Sequence, residues 1–254
     1  MKKRLLYMYS VTHDSGNAPC VYENEYQKTH LLSLACCKGG QVSEKVIRVS
    51  GMRYHIGGLY EKLKEEKIDD KYEIWVAGIY NKKLLYFAKI SEIITIDDYY
   101  KNAKYQKRQD CIYECDEQLK LSKKYDSEKI PGYKRKKRFN PLFHSEDNEY
   151  QAIRDLIGKY VLLSDKFVYF GKKAIDIDLN NKNITNNRTT KYPAKFRKIF
   201  YSDIIENYEE SGKIIDQICK VINEYSKEIN LSQANIMDEP HEILLKDSKG
   251  CYQK

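Results

Sequence analysis

Tyr72-Glu73-Ile74-Trp75-Val76-Ala77-Gly78-Ile79-Tyr80, then Asn81-Lys82-Lys83, then Leu84-Leu85-Tyr86-Phe87-Ala88-Lys89-Ile90 is the stretch that decides the fold. β-Branched and aromatic residues crowd both arms, and the polar tripeptide between them can only be a turn. The reading is a β-hairpin whose second arm continues in β-formers to Ile96. Asp97-Asp98 then offers an N-cap for a short helix at 99–104.

Working outward, Leu5 to Val11 reads as a first strand, stopped by the turn-formers His13-Asp14-Ser15-Gly16-Asn17-Ala18-Pro19. Leu31-Leu32-Ser33-Leu34-Ala35-Cys36-Cys37 is apolar, but its length does not tell a strand from a short helix. Val46 to Val49 reads as a strand, followed by a loop through Gly57-Gly58. Residues 105–150 are charged, weakly periodic and broken by Pro131-Gly132 and Asn140-Pro141, and they read as an extended insertion. Tyr160 to Phe170 is strand-like, and 180–190 is an Asn-rich loop. After Pro193, apolar residues from Phe196 to Ile222 recur at three- and four-residue steps, a helical pattern that Ser211-Gly212 interrupts. Beyond Asn230 the expectation is a poorly ordered tail. The fold class expected is α+β and mostly antiparallel, with flanking helices. The expected organisation is a domain over 1–178 carrying a basic insertion at 101–150, a helical segment packed on it over 194–230, and a tail over 231–254.

The formal charge is +8, and residues 101–140 alone hold 13 Lys+Arg against 6 Asp+Glu. The peak is Lys134-Arg135-Lys136-Lys137-Arg138. A concentrated basic patch suits a polyanion, because displacing counterions from phosphates supplies sequence-independent affinity. A short run of this kind also suits a solvated loop. The 23 tyrosines say less, since a Lys-, Ile-, Asn- and Tyr-rich composition follows from an A/T-rich genome. Seven cysteines at irregular spacings fit reduced thiols. No apolar run approaches membrane-spanning length, and the apolar run after Met1-Lys2-Lys3-Arg4 is short and broken. The expected location is cytoplasmic, with no membrane partner.

Three constellations could carry chemistry. His13, Asp14, Ser15, Gly16 and Asn17 place an acid/base, a hydroxyl and a carboxylate at one strand end, around a glycine that permits positive φ; the same residues also make an ordinary Asx turn. In Cys36-Cys37-Lys38 the lysine could raise the thiolate fraction of a nucleophile, although free cysteines are commonly core residues. Trp75, Phe167, Tyr169 and Phe170 could line a pocket for a planar base, or pack the core. The His and Cys spacings match no zinc framework, so no metal is expected, and no motif points to a particular cofactor. No P-loop, dinucleotide-binding or hydrolase-elbow motif is present.

In order along the chain, Leu6-Tyr7…Thr12-His13-Asp14-Ser15-Gly16-Asn17-Ala18-Pro19, Leu34-Ala35-Cys36-Cys37-Lys38, Trp75-Val76-Ala77-Gly78 with Tyr86 to Thr95, Asp147-Asn148 with Tyr150, and Val161-Leu162-Leu163-Ser164-Asp165 with Phe167-Val168-Tyr169-Phe170-Gly171 resemble the nucleotide modification associated domain families of the second or third type. The resemblance spans roughly 4–178. It lacks a proline after Cys-Cys-Lys, and Asp69-Asp70-Lys71 stands where a Gly-Asp turn is common. It implies a setting of DNA base modification or phage defence, and no particular reaction. The Trp75 hairpin is also similar to part of a PUA-like barrel, the fold of EVE and ASCH domains, which implies a β-barrel core.

The function expected is binding of a nucleic acid or modified nucleotide. Trp75, Tyr169 and Phe170 would stack the base; Ser15, Gly16, Asn17, Lys38 and Asn148 would meet its polar groups; Lys134, Arg135, Lys136, Lys137 and Arg138 would hold phosphates. The alternative is an enzyme acting on a nucleotide or DNA base, with His13 or Asp14 as acid/base and Cys36 or Cys37 as nucleophile. A third reading has the C-terminal helices dock a protein partner.

Overall fold

A computed structural model of the protein describes residues 2–11, 14–23, 27–36, 41–43, 46–48, 51–81, 83–115, 133–135, 155–177, 197–198 and 208–241. The chain runs β1 (Lys3–Val11), β2 (Cys20–Glu23), β3 (Gln27–Leu34), β4 (Gln41–Ser43), β5 (Val46–Arg48), α1 (Met52–Glu65), β6 (Tyr72–Tyr80), β7 (Lys83–Lys89) and β8 (Glu92–Thr95). It continues through α2 (Ile96–Lys101), β9 (Tyr113–Cys115), β10 (Tyr133–Arg135), β11 (Tyr160–Ser164), β12 (Lys166–Tyr169), β13 (Ile175–Asp176), β14 (Arg197–Lys198), α3 (Tyr208–Tyr225) and β15 (Ala234–Ile236).

The expected hairpin is β6–β7, closed by Asn81 at positive φ, which a two-residue hairpin turn favours. It sits inside a mixed sheet of order β14-β1-β6-β7-β12-β15, with β13 on the far end of β7. Antiparallel pairing dominates less than expected. β1 and β6 are parallel over all nine residues, and β12 and β15 are parallel as well. A second, antiparallel sheet has the order β2-β3-β11-β8. Among the described residues the strands do not close into a barrel.

Strand alternation explains the layers, because successive side chains face opposite ways. In the mixed sheet Leu6, Met8, Trp75, Ala77, Phe87, Val168 and Phe170 face α3, whereas Leu5, Tyr7, Tyr9, Ile74, Val76, Tyr86, Phe167 and Tyr169 face the second sheet. In the second sheet Leu162 faces inward, while Val161 and Leu163 turn outward to a third cluster with Ile96, Tyr99, Tyr100 and Tyr113. The order is therefore helix, sheet, sheet, then a covering of α2 and residues 103–113. That covering stretch was read as the opening of a charged insertion, yet Arg108, Asp110, Cys111, Ile112 and Tyr113 are buried.

α3 presents Ile214, Ile215, Ile218 and Ile222 to the mixed sheet, all buried. A fully buried isoleucine contributes about 1.5–3 kcal/mol, so this stripe is a core face and is not left open for a partner. The helix is not interrupted at Ser211-Gly212. The Ser211 hydroxyl accepts from the Leu6 amide at 2.7 Å, and Gly212 lies under the Arg4 guanidinium, which makes a two-pronged pair with Asp216 at 2.6 and 2.8 Å. Upstream the expected helix is replaced in part, since Arg197–Lys198 is a strand beside β1.

Three further readings need correction. Gly57-Gly58 is not a loop but the middle of α1. Any Cβ on Gly57 would run into the Tyr160 ring, so the glycine serves close packing of helix on strand. The helix after β8 starts at Ile96, capped by Thr95, whose Oγ1 accepts from the Asp98 amide at 3.0 Å; Asp97 and Asp98 sit in its first turn, where they favour the helix dipole. The stretch after Asn230 is not a loose tail over its described part: Ala234–Ile236 pairs with Phe167–Tyr169. The Asn-rich loop at 180–190 lies outside the described residues. No helix among the described residues is long and apolar enough to cross a membrane.

Candidate functional site

β1 delivers the chain into the Asp14–Pro19 turn at the end of the mixed sheet. Asp14 is buried, with its side chain fully out of solvent. Tyr169, on the inward face of β12, donates its hydroxyl to Asp14 Oδ1 at 2.5 Å. Burial first, and then the Asp14 charge, hold the Tyr169 hydroxyl well above the usual phenol range, so it stays a donor.

The other Asp14 oxygen is met from the far end of the described chain. β15 runs alongside β12, Met237 donates its amide to the Tyr169 carbonyl at 2.9 Å, and the Lys172 amide donates to the Glu239 carbonyl at 2.8 Å. Pro240 then packs beside Gly16, whose φ of +77° and close neighbours leave no room for a larger residue. His241 closes the arrangement: its backbone N–H and its ring Nδ1 both lie on Asp14 Oδ2, at 2.9 and 2.8 Å. The imidazole leans on the Tyr80 ring, with centroids 4.5 Å apart, and keeps 24% of its side-chain surface exposed.

Three residues beyond Asp14, Asn17 is 8% exposed, and neither carboxamide atom has a hydrogen-bond partner among the described residues. A buried polar group left unpaired costs about 1–3 kcal/mol. Such a group is uncommon in a folded protein and asks for a reason.

The residues singled out from sequence are distributed as follows. Asp14, Gly16, Asn17 and Tyr169 come together; Ser15 is half-buried in the same turn. Cys36 is elsewhere, in the outer layer, where its buried thiol donates to the Asp110 carbonyl at 3.4 Å. Trp75 and Phe170 face α3 on the opposite side of the sheet from Phe167 and Tyr169, so the four aromatics do not form one wall. The cause is the two-residue repeat of strands: Tyr169 and Phe170 are neighbours in sequence and must point apart. The Trp75 ring stacks on Phe87 at 4.7 Å. Lys134 and Arg135 lie on β10, paired with β9. His13, Cys37, Lys38, Asn148, Lys136, Lys137 and Arg138 lie outside the described residues. His241 was missed, and the only sequence signal was the short apolar alternation Ala234-Asn235-Ile236-Met237 ahead of it.

A second buried polar centre lies behind β3. Ser33 and Tyr99 donate to the two oxygens of Asp110 at 2.6 Å each, and Arg108 reaches Ser33 Oγ and the carbonyls of Cys20 and Leu31 within 3.0 Å. Burial opposes the Arg108 charge, and the neighbouring Cys20, Tyr99 and Asp110 more than offset it, raising its pKa. Burial, aided by the Asp110 charge, pushes the Cys20 thiol up to about 12, so it is protonated at neutral pH and not a nucleophile. This centre holds the second sheet to its covering. Among the described residues no group of three His, Cys, Asp or Glu side chains is arranged to hold a metal ion.

Compared with known proteins, residues 3–220 match the family described as nucleotide modification associated domain 2. No curated protein and no solved structure matches the chain. The matched stretch includes the Asp14 turn, β12 and most of α3, and it stops short of His241. The chain belongs to the nucleotide modification associated domain 2 family, and through it is associated with nucleotide modification.

Proposed function

We propose that the protein binds a nucleotide, free or within a nucleic acid, at the Asp14–Asn17 turn, in the setting of DNA base modification or phage defence. The observation that carries this reading is the Asn17 carboxamide, buried beside a glycine turn and without a partner among the described residues. A carboxamide presents a donor and an acceptor side by side, the pattern that pairs with the polar edge of a base. Bound ligand would supply the bonds that no described residue makes. Family membership supports the ligand class.

The test separates a structural asparagine from a reading one. Asn17→Ala is expected to leave the free protein as stable as the wild type or slightly more so, because it removes an unpaired group. The same change is expected to weaken nucleotide binding about 5- to 150-fold, equivalent to about 1–3 kcal/mol. Isothermal titration with 2′-deoxynucleoside monophosphates and short oligonucleotides, after mass spectrometry of whatever the purified protein retains, reads this out. Equal affinity in the variant overturns the assignment.

The run Lys134–Arg138 would contribute phosphate contacts to a polymeric ligand. Neutralising all five residues is expected to flatten the plot of log affinity against log salt by about 0.9 for each lost contact on duplex, or about 0.7 on single strand. An unchanged slope removes that role.

A further inference from the structure

We propose that His241 is the residue through which this site accepts a hydrogen bond from its ligand, with the lone pair on Nε2 and with Asp14 as the positioning residue behind it. The proposal rests on the nucleotide reading above for the class of ligand, and it adds a contact that lies beyond the family-matched stretch 3–220.

Asp14 is not free to play this part. Its Oδ1 accepts from Tyr169, and its Oδ2 accepts from both the amide and the ring of His241. Both Asp14 oxygens already accept from fixed donors, the Tyr169 hydroxyl and the His241 amide, and an oxygen that accepts there assigns the hydrogen of the facing ring nitrogen to Nδ1. In the neutral imidazole that leaves the lone pair on Nε2, away from the carboxylate. Two bonds from one residue to one oxygen fix the backbone and the ring together. Tyr80 supports the ring, and the exposed part of the pair is the imidazole, since the Asp14 side chain has no exposed surface. The pair is held in place from below, because β15 is registered on β12 from Phe167 to Tyr169, and Asn235 donates to the Phe167 carbonyl at 3.1 Å. Ligands with a matching donor are a ribose or deoxyribose hydroxyl and the imino or exocyclic amino group of a base. Asn17 and His241 would then read one ligand from two ends of the described chain, one within the family-matched stretch and one outside it.

Long-range proton–nitrogen NMR of the full chain tests this, with the His241 signal assigned by its disappearance in His241→Phe. The expected result is a ring hydrogen on Nδ1, lost as a fixed preference in Asp14→Ala. A hydrogen on Nε2 in the wild type overturns the proposal, and the only variant this reading needs is His241→Phe, for the assignment. Each of the four 2′-deoxynucleoside 5′-monophosphates is then added. A monophosphate that raises the melting temperature is expected to shift the Nε2 resonance and to bind His241→Phe at least tenfold more weakly. Binding that leaves Nε2 unmoved overturns the role of His241 while the nucleotide reading stands. Failure of all four, and of short oligonucleotides containing them, to bind overturns the nucleotide reading and the ligand assigned here, while the tautomer still decides whether Asp14 aims the ring.

Discussion

Asp110→Ala is expected to destabilise the protein by about 3–5 kcal/mol, because it leaves a buried guanidinium without its counter-charge. Arg108 and Asp110 are both buried, 3.7 Å apart, and Asp110 also accepts the hydroxyls of Ser33 and Tyr99. Removal of the carboxylate therefore takes the acceptor from two hydroxyls at once and leaves the guanidinium, which cannot shed its charge, with hydrogen bonds but no counter-charge. Against a total stability of about 5–15 kcal/mol for a typical domain, the variant is expected to sit near the edge of folding. Asp110→Asn keeps one acceptor and should fall between the two. Urea unfolding followed by far-ultraviolet circular dichroism measures the series. A loss below about 1 kcal/mol for the alanine variant contradicts the account, since this is the range of an exposed pair.

Trp75→Ala is expected to cost about 3–5 kcal/mol of stability and to leave nucleotide affinity unchanged. The ring is stacked on Phe87, and Trp75 sits beside Leu6 in the buried cluster that includes Ile214, Ile215 and Ile218 of α3. Its indole N–H reaches Glu73 at 3.4 Å, and Glu73 is itself held by Lys89 at 2.5 Å. Burial opposes the Glu73 charge, but Lys89 wins and lowers its carboxyl pKa, so the patch stays ionised and paired. Thermal unfolding and nucleotide titration of the same variant give the two numbers. A base platform would show the reverse pattern, with affinity lost first.

The β6–β7 hairpin was legible because both arms are dense in β-formers and the turn is polar, a purely local signal. The Asp14 turn was legible for the same reason; Asp14 and Tyr169 each stood out in the sequence, but the bond between them did not. Which aromatics share a face was not legible. Neighbours such as Tyr169 and Phe170 are split by the pleat, and the strand breaks at Asp165, where β11 leaves one sheet and β12 enters the other. Gly57 was misread because a glycine needed for close helix–strand packing looks the same in sequence as one in a loop. His241 was invisible for a deeper reason: its place is set by pairing between β12 and β15, a non-local contact that a weakly apolar triplet does not announce. Arg108 and Asp110 were likewise hidden within a run of charges, where nothing local marks the two that are buried.

The parallel pairing of β1 with β6 has a consequence for how the protein is made. Strand β1 cannot use its inward neighbour until residues 72–80 have emerged from the ribosome, and its outer face stays bare until residues 208–225 follow. At about 5–20 residues per second, synthesis leaves Leu6 and Met8 uncovered for roughly 10–40 s. During that interval the growing chain carries an unpaired, apolar strand edge, the kind of surface that holding chaperones take up.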